Sequence, residues 1–161
     1  MRYVVLLGAI LSASSLTAQQ PGDSLVIEVA GKRTVLRSLT GLPRDTVTPT
    51  FHNAAPQRFS GVHLRELLAR AGFAGERIRG RALASYLVVE ARDGYRVSFG
   101  VADLDTALVA HRLVLVDSVD GRPLPPNEGP WRLIVAGDAH GARSARMVGA
   151  IRVREPTPAQ P

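Results

Sequence analysis

The residues whose types and spacing could do chemistry are concentrated in the stretch 137–147, which reads GDAHGARSARM. It directly follows the apolar run WRLIVA, whose composition is typical of a buried strand. Glycine lets backbone N–H groups approach a ligand closely, and the guanidinium of arginine pairs with phosphate through two parallel hydrogen bonds. Two interpretations of the stretch stay open at this level: a tight turn that is basic, or a segment that binds an anion.

The other residues that could do chemistry are isolated in the sequence. His52 could ligate a metal, since imidazole binds many metals, but one histidine does not make a site. Asp103 and Asp105 have the spacing of a carboxylate pair, yet nothing places them in a cleft, and capping a turn is the simpler role. The chain has no cysteine, which excludes disulfides, thiolate ligands and thiol nucleophiles. The sequence therefore predicts no catalytic residue and no metal ligand.

Length and composition indicate one domain with a real core. The chain has 161 residues, of which 45% are hydrophobic, and its formal net charge is +6. Lys32 is the only lysine, and the arginines are spread along the chain. Aromatic residues make up only 5%. Because nucleic-acid binding needs clustered basic residues, often with interleaved aromatics, we do not expect a nucleic-acid partner.

The two ends of the chain are predicted to lie outside the domain. Arg2, a short apolar run and a small-residue boundary have the pattern of a secretory signal peptide over residues 1–18, with cleavage after Ala18. We therefore expect an exported protein, periplasmic or secreted, without a membrane span after the leader is removed. Residues 155–161 are rich in proline and predict a disordered tail, which leaves a domain over 24–154.

The elements that must position the segment 137–147 are mostly strands. SLVIEVAGKRTVLRSL alternates around Gly31-Lys32, which predicts a hairpin. SYLVVEARDGYRVSFG predicts a second hairpin, since Asp93-Gly94 accepts the positive φ angles of a tight primed turn. Further strands are predicted in RLVLVDSV, which enters a turn at Asp120-Gly121, and in WRLIVA and AIRVRE. In DTVTPTF, Pro49 favours an edge strand.

One helix is predicted in SGVHLRELLARAGF. Leu64, Leu67 and Leu68 fall on one face at helical spacing, with Ser60 as the expected N-cap and Gly72 as the stop. Together, these elements predict an α+β domain that is dominated by strands.

Three blocks, in the order FSGVHLRELLARAG, EARDGYRVSFGVADL and VDGRPLPPNEGPWRLIVAGDAHGARSARMVGAIRV, resemble the molybdopterin-binding domain of the sulfite oxidase family over residues 24–153. The resemblance implies a mixed α/β fold around a strongly curved sheet. It also implies that the Gly-Ala-Arg-Ser stretch lies beside a molybdopterin cofactor. By this resemblance, Arg143, Ser144 and Arg146 would contact the pterin or its phosphate. Gly141 and His140 are further candidates for the same site.

One departure from the family pattern concerns the metal. The family holds molybdenum through a pterin dithiolene and one cysteine, which is expected between DTVTPTF and FSGV, where this chain reads HNAAPQR. We therefore predict a non-catalytic or degenerate module that binds a pterin or another anionic ligand. One alternative is a molybdenum-dependent oxidoreductase that uses another ligand or is completed by a partner chain, such as a redox partner. The other is a structural or partner-binding domain that has lost the pocket.

Overall fold

The fold is described by a computed structural model over residues 23–51, 55–73 and 78–156. The predicted leader, His52 and residues 157–161 lie outside this part of the chain, so their interpretations remain predictions. The described strands and helix are, in chain order, β1 Leu25–Val29, β2 Lys32–Leu36, β3 Asp45–Val47, β4 Phe59–His63, α1 Leu64–Arg70, β5 Tyr86–Ala91, β6 Arg96–Gly100, β7 Arg112–Val119, β8 Arg122–Pro123, β9 Arg132–Ala136 and β10 Val148–Arg154.

The strands form two five-stranded sheets. The first has the order β2-β1-β10-β5-β6, in which β1 and β10 are parallel and the other pairs are antiparallel. In the second, β3, β4 and β7 follow one another, and both β8 and β9 also pair with β7. The described strands, together with the one described α-helix, confirm the predicted strand-dominated, mixed α/β class. The strong curvature of a sheet stays an expectation from the resemblance.

The main core lies between the sheets and the helix. It contains alternate residues of β1 and β5 and three residues of β10 from the first sheet, and Leu113 and Leu115 of β7 from the second. Leu64, Leu67 and Leu68 of α1 are completely buried in the same cluster. The leucine spacing of the sequence therefore identified the buried face of the helix correctly.

The outer faces of the two sheets differ. On the first sheet, Arg152 of β10 donates hydrogen bonds to Glu28 of β1, at 3.2 Å, and to Glu90 of β5. Arg154 donates to the same Glu28 carboxylate at 2.7 Å, and this hydrogen bond lowers the pKa of Glu28. The second sheet instead carries a smaller apolar cluster that includes Phe59, with Phe51 packed against it. The candidate site lies on this second, partly covered side.

The helix begins later than predicted. Ser60 belongs to β4, whose residues pair with β7, and α1 starts at Leu64. The N-cap is His63, whose Nδ1 accepts a hydrogen bond from the backbone N–H of Arg65 at 3.3 Å. The Ser60 cap was wrong because strand pairing uses the backbone that a longer helix would need.

The predicted hairpins form, but two turns differ from the prediction: the first lies at Ala30-Gly31, since Lys32 already pairs with Val29, and the turn at Asp93-Gly94 is of another type. Gly94 alone has a positive φ, of 89°, and the N–H of Ala91 donates to the carbonyl of Tyr95 at 2.8 Å. Three residues, 92–94, therefore lie between the hydrogen-bonded residues Ala91 and Tyr95, as in a type I turn followed by a left-handed glycine. Asp120-Gly121 does have two positive φ angles, of 49° and 76°.

Candidate functional site

The segment 137–147 connects β9 to β10 and packs along the start of β9 and the turn before it. It contains a short 3₁₀ turn at Gly141–Arg143. The carbonyl of Ala145 accepts from the N–H of Leu133 at 2.8 Å, and the N–H of Met147 donates to the carbonyl of Glu128 at 2.9 Å. These backbone bonds tie the segment to the start of β9 and to the turn before it.

A cavity of about 680 Å³ opens beside this segment. Three other parts of the chain complete its walls: the connection from β3 to β4, the β5–β6 turn, and the chain at the start of β9. The described lining residues are Pro49, Phe51, Ala55, Gln57, Phe59, Asp93, Tyr95, Glu128, Arg132, Gly141, Ala142, Ser144, Ala145 and Arg146.

Three aromatic side chains are among the described lining residues of the cavity. Gly141 packs beside the ring of Phe51, because a Cβ added at Gly141 would lie 3.7 Å from the ring, at van der Waals contact. Tyr95 donates its hydroxyl hydrogen bond to the carbonyl of Ala142, which links the β5–β6 turn to the segment. Phe59 is 2% exposed and lies beneath the guanidinium of Arg132, whose Cζ is 5.0 Å from the ring centroid. Such walls suit a planar ring system.

Three charged side chains meet in the cavity. Arg132 donates from Nη1 to Oε2 of Glu128 at 2.6 Å, and Nε of Arg146 lies 3.5 Å from Oε1 of the same carboxylate. The side chain of Arg132 is 8% exposed, whereas that of Arg146 is 55% exposed. Burial lowers the pKa of Arg132, and the neighbouring Glu128 opposes this effect. Nε of Arg132 is buried without a hydrogen-bond partner in the described part of the chain.

The five predicted site residues do not all reach the cavity. Gly141, Ser144 and Arg146 line it, but Arg143 and His140 are not among its described lining residues. Arg143 donates from Nε and Nη2 to the Asp138 carboxylate at 2.8 and 2.5 Å, and its Cζ lies 5.4 Å from the ring centroid of Phe99. The hydrogen bond to Asp138 raises the pKa of Arg143.

Ser144 has a structural contact of its own. Its Oγ accepts a hydrogen bond from the N–H of Val135 at 3.0 Å, which holds the segment against β9. The hydroxyl hydrogen stays available for a second partner. Ser144 therefore anchors the segment from a position at the cavity wall.

Sequence reasoning missed Glu128, Arg132 and the aromatic walls. One signal was present: Arg132 interrupts the apolar run WRLIVA, and a charged residue inside a buried strand requires a partner. The neighbouring Trp131 is 4% exposed, and its indole Nε1 has no hydrogen-bond partner among the described residues.

The remaining candidates have structural partners. Asp105 accepts a hydrogen bond from the N–H of Ala107 at 3.0 Å, which confirms that it caps a turn. Asp103 lies 3.1 Å from Nε2 of His111. In the described ranges, no three His, Cys, Asp or Glu side chains are grouped so that they could hold a metal. Nor does any helix in these ranges have the length and apolar character needed to cross a membrane.

Comparisons with known proteins identify the class of this chain. The family described as oxidoreductase molybdopterin binding domain matches residues 26–160. The chain therefore belongs to this family, as the three sequence blocks predicted.

A solved structure supports the fold. The chain is similar to the sulfane dehydrogenase SoxCD from Paracoccus pantotrophus, with a TM-score of 0.66 and 20% sequence identity over 85% of this chain. At this identity the likeness concerns the fold alone. The match covers 40% of the SoxCD chain. A comparison with curated proteins finds no match.

The cavity fits the organic part of the family's cofactor better than its metal. Aromatic walls and a half-exposed arginine are suited to a planar heterocycle that carries an anionic group. The chain has no cysteine to supply a thiolate. Phe51, which follows β3 and lines the cavity, is close in sequence to the position where the resemblance places the cysteine.

Proposed function

We propose that this chain is an exported, non-catalytic member of the family whose cavity binds a pterin or a similar planar ligand with an anionic group. The observation that carries the proposal is that Gly141, Ser144 and Arg146 line one cavity together with aromatic side chains. The cavity volume of about 680 Å³ lies within the range of about 300–1,000 Å³ found for small-molecule sites.

Each wall has a defined part in this proposal. Phe51 and Tyr95 contact the faces or edges of the ring system, where stacking contributes without requiring a charge. Arg146 pairs with the anionic group, because its guanidinium is half exposed and is held only loosely by Glu128 at 3.5 Å. Ser144 can donate its free hydroxyl hydrogen to the ligand while it accepts from Val135.

The non-catalytic part of the proposal rests on the composition of the chain. The family's chemistry at molybdenum uses a cysteine thiolate, and this chain has none. The described lining residues of the cavity include no histidine or cysteine whose side chain could replace this thiolate. Molybdenum-dependent sulfite oxidation by the purified chain would contradict this part of the proposal.

Replacing Arg146 tests the binding site. We expect Arg146→Ala to weaken the binding of a pterin monophosphate by about 10- to 100-fold, because a hydrogen bond to a charged group contributes about 1.5–3 kcal/mol. Titration calorimetry measures the affinity, and thermal melts show that the fold is kept. Equal affinities of the variant and the parent would contradict the role of Arg146.

Arg143→Ala is the matched control, because it removes the same side chain three residues away. Arg143 pairs with Asp138 and is not among the described lining residues. We therefore expect its loss to leave the ligand affinity within about threefold of the parent. A modest loss of stability, up to about 1 kcal/mol, should appear in the melts instead, since the ion pair is partly exposed.

Export is a separate proposal, based on the signal-peptide pattern of residues 1–18. Protein recovered from outside the cytoplasm is expected to begin at Gln19, because cleavage follows the small residue Ala18. N-terminal sequencing of the exported material measures this directly. An exported protein that retains Met1 would be inconsistent with leader removal.

A further inference from the structure

Glu128 is held firmly at the wall of the cavity. Its N–H donates to the carbonyl of Pro125 at 2.9 Å, and its carbonyl accepts from the N–H of Met147 at 2.9 Å. The side chain is 17% exposed. The backbone of Glu128 is therefore fixed on both sides, and its side chain lines the cavity from there.

The carboxylate occupies the place between the two cavity arginines that a bound anion would take. Oε2 accepts from Nη1 of Arg132 at 2.6 Å, and Oε1 lies 3.5 Å from Nε of Arg146. Arg132 is nine-tenths buried, with an unpartnered Nε, so this carboxylate is its counter-charge in the described structure. Among the described residues that line the cavity, the charged ones are two arginines and two acids, Glu128 and Asp93, so their formal charges cancel.

An inorganic anion gains little in such a cavity. It must approach the Glu128 carboxylate while it pairs with Arg146, and like charges at close range repel one another. A ligand with a planar ring offsets this repulsion through contacts with the aromatic walls, which a bare anion cannot make. Selectivity then comes from a built-in repulsive group as well as from attraction.

We infer that Glu128 is the specificity-determining residue of the cavity: its carboxylate acts as an internal anion that excludes small inorganic anions and admits only ligands that also occupy the aromatic walls. The inference rests on the proposed function, since it concerns the same cavity. It assigns to Glu128 a role distinct from that of Arg146, which attracts the ligand.

The test compares two probes, inorganic phosphate and a pterin monophosphate, by titration calorimetry. We expect the parent to bind the pterin monophosphate at least about tenfold more tightly than inorganic phosphate. Glu128→Gln should raise the affinity for inorganic phosphate by about tenfold or more, because it removes the competing charge and keeps an acceptor for Arg132. The double variant Glu128→Gln/Arg146→Ala should lose this gain.

Asp93→Asn is the matched control, since it removes an equal charge from the same cavity. The Asp93 carboxylate accepts from the N–H of Tyr95 at 2.9 Å within its own turn. We expect this variant to change phosphate affinity by less than about threefold. An equal gain in both variants would overturn the specific role of Glu128.

A third variant keeps the test decisive if Glu128→Gln does not fold. Glu128→Asp retains the negative charge beside Arg132. Because its side chain is one methylene shorter, its carboxylate lies farther from Arg146. It should raise phosphate affinity in the same direction by about threefold. Unchanged phosphate affinity in every folded Glu128 variant would overturn the inference.

The two proposals fail in different ways. If the parent binds the pterin monophosphate but no Glu128 variant gains phosphate affinity, the inference falls and the proposed function stands. If the parent does not bind the pterin monophosphate while Glu128→Gln gains phosphate affinity, the proposed function falls, whereas the exclusion of inorganic anions by Glu128 stands.

Discussion

Gly61→Ala is expected to lower the free energy of unfolding by about 4 kcal/mol or more, which would leave little folded protein. A Cβ at this position would lie 2.0 Å from the carbonyl oxygen of Leu115 and 2.5 Å from Cα of Val116. Both atoms belong to the backbone of β7, the strand that pairs with β4, so they cannot move without breaking the ladder. The pairing register also shifts between Ser60 and Gly61, which marks a close approach of the two strands.

Gly100→Ala is the matched control, because Gly100 is also a glycine of a strand, the last residue of β6. Its φ is −64°, which any residue adopts, and a Cβ there would meet its nearest neighbour, Oδ2 of Asp103, at an ordinary 3.7 Å. We expect a change of less than about 1 kcal/mol in either direction. Urea unfolding of both variants measures the difference. Similar unfolding free energies would show that the β4–β7 approach tolerates a side chain.

The pair of Arg132 and Glu128 should show a strong asymmetry when its members are removed one at a time. Glu128→Met leaves a guanidinium that is nine-tenths buried without its counter-charge, and we expect a loss of about 3–5 kcal/mol. Arg132→Met should lower the free energy of unfolding by less, because the remaining Glu128 carboxylate is partly exposed and still has Arg146 as a nearby counter-charge. Gln at position 128 should cost less than Met, since its amide oxygen still accepts from Nη1.

The double variant Arg132→Met/Glu128→Met completes the cycle. Because it removes both charges together, it should be more stable than Glu128→Met alone. Urea unfolding is the suitable measurement, since urea does not screen charges as a salt denaturant does. Additive losses from the two single variants would contradict a coupled pair.

The fold could be predicted well where it depends on local patterns. The leucines of α1, the alternation in β1 and the turn at Asp120-Gly121 each follow from residues close together in the sequence. The start of the helix could not be predicted in this way. Residues 60–63, which the local pattern assigned to the helix, instead pair with β7, a strand about fifty residues further along the chain. Competition between distant partners is not visible in a local window.

The sequence by itself determined the family, the strand-dominated class, the absence of a thiolate, and the segment 137–147 as part of the candidate site. These conclusions depend on residue types and their order. Only the tertiary structure decided that Arg146 lines the cavity while Arg143 pairs with Asp138, although both lie in the same short segment. It also brought Glu128 and Arg132 into the site. The reason is physical: the partner of a charged side chain is set by which backbone segments meet in space, and β9 and its flanking turns meet the segment only in the folded chain.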